Sequence, residues 1–159
     1  MIRLSCAVAP WPVNSDVRHL PLAEAMNIEA QPLGNEYRLD GKESGIVEVS
    51  DTLSGLRIIV STWIDSINET FLQVHFRRAR AYRYLDEGDL LAWWETGKFR
   101  MPYHVYQITN GGWLHGETPQ SGILDVSRAM GYQEWFVATT NECMNVLANL
   151  PPEIKDLGC

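Results

Sequence analysis

Cysteine is scarce in this chain: Cys6, Cys143 and Cys159 are the only three in 159 residues, and no two are close in sequence. An odd count without CxxC spacing excludes a disulfide framework and the common structural zinc sites. The four histidines, His19, His75, His104 and His115, form no HxH, HxxxH or HExxH pattern, so no metal site is expected. The GxSxG, P-loop and dinucleotide-binding glycine patterns are missing as well, so no cofactor is expected. No apolar run approaches the roughly 20 residues needed to span a membrane. The opening MIRLSCAVAP has only a few consecutive apolar residues, fewer than the core of an export signal needs. No export is expected, and unpaired thiols favour the cytoplasm.

Basic residues are also few: 13 Lys and Arg stand against 20 Asp and Glu, for a net charge of −7. Such a chain does not follow a phosphate backbone with its overall field, which argues against nucleic acid. An acidic balance suits solubility and speeds encounter with a basic protein partner. The local exception is Arg77, Arg78, Arg80 and Arg83, a patch that would bind phosphate or carboxylate or pair with the chain's own acids.

What the chain does have is 45% hydrophobic residues and six Trp, enough for one globular domain spanning 1–159. Residues 1–33, broken by Pro10, Pro12, Pro21 and Pro32, read as a less regular arm with one short helix at Leu22–Asn27. Residues 150–159 read as a loosely docked tail. Between them strand signals dominate. EYRL and GIVEV flank Asp40-Gly41 as a hairpin, and SGLRIIVS is a further strand. TFLQVHFRR alternates, with Leu72, Val74 and Phe76 on one side, and RAYRYL continues after a bend. PYHVYQIT turns at NGG into a short strand, WLHGE. YQEWFVATT reads as a strand, and CMNVLA as a strand or a helical turn. Long helical crossovers are absent. The expected fold class is α+β, a mainly antiparallel twisted sheet with one or two helices.

YLDEGDLLAWWETG, Tyr84–Gly97, is the stretch richest in candidate chemistry. Its acids fall in the first turn of a predicted helix, over about 87–95. Asp86 fits the N-cap, and Asp86, Glu87 and Asp89 sit at the positive end of the helix dipole. That position favours their charged form, the wrong direction for a general acid. Leu90, Leu91 and Trp94 mark the apolar face; Trp93 lies about 100° from Trp94, so one of the two is expected at the rim unless both pack on the sheet, and core packing needs Trp93 least. Cys143 has no neighbouring base and reads as a packed strand cysteine.

The run from Gly55 to Leu147, containing LRIIV, LQVHF, YRYLDEGDLLAWW, HVYQITNGGWL and EWFVATTNECMNVL, resembles the small single-domain immunity proteins of bacterial polymorphic or secreted toxin systems. The resemblance implies a non-catalytic cytoplasmic binding protein that neutralises a toxin by occluding its active site. No family catalytic residue carries over. The partner would be a basic toxin domain. The expected partner-binding residues are Asp86, Glu87, Asp89, Trp93 and Glu95, with Trp113, His115 and Glu117 as a second face. Two alternatives stand beside this: a small hydrolase-like enzyme built on His75, His104 and a carboxylate, and an oligomeric structural or regulatory protein.

Overall fold

The computed structural model describes residues 27–100, 102–116 and 123–158, apart from the side chain of Glu87. In chain order the elements begin with β1 (Glu29–Leu33), β2 (Gly45–Thr52), β3 (Gly55–Trp63), β4 (Glu69–Phe76) and β5 (Ala79–Asp86). A 3-10 turn (Glu87–Leu90) runs into α1 (Leu91–Glu95). Then come β6 (Val105–Asn110), α2 (Asp125–Ala129), β7 (Gln133–Ala138), β8 (Glu142–Ala148) and β9 (Glu153–Asp156).

The strands form two antiparallel sheets. One has the order β1-β6-β7-β8-β5 and the other β2-β3-β4-β9. They face each other across an apolar layer. Leu56, Ile58, Val60, Leu72, Val74 and Phe76 come from β3 and β4, and Val105, Trp135, Val137, Met144, Val146 and Ala148 from the five-stranded sheet. The alternation read in residues 70–78 is therefore the inner face of a two-sheet sandwich. β7 and β8 are buried on both faces, which explains their nearly continuous apolar sequences.

A second apolar cluster lies on the outer side of the five-stranded sheet. Here Leu90, Trp93 and Phe99 cover Tyr106, Ile108, Phe136, Ala138 and Cys143. Trp93 stacks on Phe99 with ring centroids 5.5 Å apart and meets Phe136 at 4.9 Å. Aromatic pairs at such separations add to area burial.

The balance of elements corrects the α+β expectation: antiparallel sheet dominates, and the helices among the described residues are single short segments. Residues 36–39 form no strand, so the hairpin expected at Asp40-Gly41 is absent. Trp113–Gly116 is a turn, closed by His115 and Gly116 N–H groups on the Gly112 carbonyl, and not a returning strand. CMNVLA is a strand, β8. The expected arm contains β1, paired with β6. The helix expected at Leu22–Asn27 lies outside the described residues except for Asn27.

The tail is likewise ordered as β9 against β4. Asp156 holds it there, accepting hydrogen bonds from Thr70 Oγ1 at 2.7 Å, the Gly158 N–H at 2.8 Å and Tyr37 Oη at 3.1 Å. Among the described residues no helix is long and apolar enough to cross a membrane.

Candidate functional site: the outer face of the five-stranded sheet

Asp86 caps the 3-10 turn as its sequence position suggests, its carboxylate accepting the Gly88 N–H at 2.8 Å. The helix then departs from the reading of its faces. Leu90 and Trp93 point into the outer-face cluster, Leu91 is 64% exposed, and Trp94 is half-buried. Leu90 stands at the N-cap of α1, and Trp93, three residues on, is a neighbour on the same side. Trp93, expected to be the one core packing needs least, is a core residue and no free contact. Asp86, Asp89 and Glu95 are exposed. Lys98 and Arg100, also exposed, follow the helix. Gly97, at φ 68°, ends it as expected.

The two expected partner faces meet in space. The Arg83 guanidinium, on β5, lies 5.8 Å from the Trp93 ring centroid and 5.0 Å from that of Trp113. Both distances fall within cation–π range. Trp113 is half-buried in this contact, and His115 is exposed beside it. Glu117 lies outside the described residues.

Beneath them runs a polar line across three adjacent strands, none of it singled out in the sequence except Arg83. Arg83 Nε donates to Asn145 Oδ1 at 2.9 Å, and Asn145 Nδ2 donates to Glu134 Oε1 at 2.6 Å. Glu134 also accepts the Trp113 N–H at 3.2 Å and the Leu114 N–H at 2.7 Å. Glu134 and Asn145 are fully buried. The carboxylate thus pins the 112–116 turn to the sheet from below. From above, Arg128 of α2 donates to the Leu114 carbonyl at 2.6 Å and pairs with Asp125. Gly112 permits the close approach, since a Cβ there would lie 2.7 Å from Glu134 Oε2.

Burial pushes the Glu134 pKa up to about 7, although the two backbone N–H groups, the Arg83 charge and Asn145 all favour the carboxylate. The one signal in the sequence was parity: Glu134 alternates with Phe136 and Ala138 on one face of β7.

His75 and His104 do not come together. His75 Nε2 lies 3.0 Å from the Ser54 carbonyl, at a pair with Arg57. His104 is buried, its Nδ1 donating to the Ala138 carbonyl at 2.8 Å and its Nε2 lying 2.7 Å from Thr62 Oγ1. Thr62 is five residues along β3 from Arg57, about 16 Å at strand rise. Burial, with the Arg38 charge acting the same way, lowers the His104 pKa to about 4. The Thr62 hydroxyl has one hydrogen to share between His104 Nε2 and the Tyr37 carbonyl, also 2.7 Å away. His104 therefore ties β3 of one sheet to the end of β7 in the other. Cys143 is buried on β8. Among the described residues no group of three or more His, Cys, Asp and Glu is placed to hold a metal ion.

The architecture and surface thus define a two-sheet antiparallel protein with a helix-and-turn platform on one outer face. No family model matches the chain, and comparison with curated proteins and with solved structures gives no match.

Proposed function

We propose that this is a non-catalytic, cytoplasmic binding protein, an immunity protein that occludes the basic active site of a bacterial toxin with its outer-face platform. The observation that carries the reading is Leu91. It is exposed among Asp86, Asp89 and Glu95, on a helix whose other side is locked into the aromatic cluster by Trp93. A rigid apolar knob among acids suits a basic, concave partner: the charges speed encounter and the buried knob slows release. Trp113 and His115 extend the same face, and Arg83 between the two indoles holds the parts in register.

Co-expression with the product of the neighbouring reading frame tests this. Co-purification and relief of toxicity are expected. Leu91→Asp should shorten the partner's residence by speeding its release. The pair Asp89→Lys and Glu95→Lys would slow association and weaken its salt dependence. As exposed changes, these cost no more than about 0.5 kcal/mol of folding stability. Failure of the two proteins to co-purify, with toxicity unrelieved, would sink the reading.

A further inference from the structure

We propose that the cleft at the Arg77–Arg78 end of the sandwich is a binding site for a small organic monocarboxylate with an apolar body. Two connections cross from one sheet to the other at this end. Arg77 and Arg78 join β4 to β5, and residues 149–152 join β8 to β9. β4 is paired with β9 and β5 with β8, so the two crossings run side by side. Between them lies a cavity of about 680 Å³. Small-molecule sites fall in the range of about 300–1,000 Å³.

The residues around the cavity explain why the space is open. Ala148, the buried residue of its lining, belongs to the inter-sheet layer and pairs across the ladder with Ala79. Two methyl groups stand where longer side chains would fill the gap. Both crossings are also held stiffly. Gly55, at φ 120°, lets the β2–β3 turn press against the first, because a Cβ there would collide with the Phe76 carbonyl and the Arg77 backbone. Pro151 and the buried Pro152 restrict the second. A preformed cleft loses little order on binding.

Charge selects the occupant. Arg77, Arg78 and Glu153 are the charged groups of the lining, and Glu153 pairs with Arg77. Arg78 is exposed, and its guanidinium has no ion-pair or hydrogen-bond partner among the described residues. One positive charge is therefore left over here, on a chain whose net charge is −7. A single guanidinium fork matches a single carboxylate through two parallel N–H···O bonds. A phosphate dianion would set a second negative charge against Glu153. Ala148, Leu150 and Pro151 supply an apolar wall for the rest of the ligand. The arginine cluster of the sequence thus divides: Arg83 serves the platform, and Arg77 and Arg78 serve this cleft. No platform residue lines the cleft, so this site and the proposed toxin-binding face stand or fall separately.

Amide-detected NMR titration with phenylbutyrate tests it. Saturable shifts are expected around Arg77–Ala79 and Ala148–Glu153. Phenylbutyramide, which keeps the apolar body and lacks the charge, should bind roughly tenfold more weakly or less, and so should inorganic phosphate. Arg78→Gln, an exposed change, should lose roughly tenfold in affinity while thermal unfolding matches the wild type. Arg78→Lys should keep part of the affinity, since it retains the charge without the fork. No saturable shift at this cleft would overturn the proposal. Equal binding of the amide would make the cleft an apolar trap, equal binding of phosphate a general anion site, and either result refutes a carboxylate site. An Arg78→Gln variant that binds as tightly as the wild type would refute it as well.

Discussion

The two faces of the five-stranded sheet are buried by different means. The inner face meets the other sheet mainly through aliphatic side chains and one tryptophan, with the buried His104–Thr62 contact at one end. The outer face is covered by a short helix and a turn, through rings and through a buried Glu134–Asn145–Arg83 line. Two sheets supply each other's cover along their whole length. A five-residue helix and a turn have too few backbone bonds of their own to hold a position, so the outer cover depends on a few specific contacts. The inner layer makes the fold, and the outer one aims surface groups. Positions on the platform are therefore expected to fail locally where positions in the layer fail globally.

The largest effects should divide along that line. Phe76→Ala in the inner layer and Trp93→Ala on the outer face should each cost about 3–5 kcal/mol. Urea unfolding followed by tryptophan fluorescence measures the loss. Amide hydrogen exchange separates the two cases: Phe76→Ala should raise exchange in β3, β4, β7 and β8 together. Trp93→Ala should expose residues 87–96 while the strands keep most of their protection. Equal spread of exchange in both variants would erase the distinction.

The buried titrating groups sharpen it. Glu134 belongs to the outer face and has a folded pKa of about 7 against an ordinary 4.5. Its contribution is fully present below about pH 4.5 and is lost as pH rises through about 7. His104 ties the two sheets together and has a folded pKa of about 4 against an ordinary 6.5. Its contribution is present above about pH 6.5 and is lost as pH falls through about 4. Each slope amounts to about 3 kcal/mol, and they oppose one another. Wild-type stability should be nearly flat between about pH 4.5 and 6.5. Glu134→Gln should unmask a fall on acidification, and His104→Gln a rise. Denaturant melts at several pH values would show it. Parallel profiles in all three proteins would refute the opposition.

A smaller effect is expected at Gly112. Gly112→Ala puts a methyl group against Ile108 and the Glu134 carboxylate, at 2.6 and 2.7 Å. It should cost about 1–3 kcal/mol. Because the turn is displaced from the sheet, Trp113 should move off Arg83, which its fluorescence would report. A destabilised protein with an unchanged turn would place the strain elsewhere.

Much of the inner layer was legible in the sequence. Leu72, Val74 and Phe76 keep strand period because one sheet face is buried and the other wet. The N-cap at Asp86 and the stop at Gly97 were legible for the same local reason, since backbone geometry at helix ends depends on the residue itself. β1 and β9 were not. Pro32 and the charged Glu153 and Lys155 are edge-strand residues, and their ladders are supplied by β6 and β4, far away in the chain. The helix face was misread because residues three and four along are both neighbours of Leu90, and the fold buries Trp93 more deeply than Trp94.

The sequence by itself determined an acidic chain dominated by antiparallel strands, with a capped helix start between the fifth strand and the sixth. Those properties follow from composition and from neighbours a few residues apart. Only the tertiary structure decided that Trp93 is core and Leu91 surface, and that Trp113 meets Arg83. It also decided that Glu134 is buried on three donors, two from a turn about 20 residues away and one from β8. Each depends on which strands lie side by side, and strand pairing joins residues whose separation along the chain carries no periodic signal.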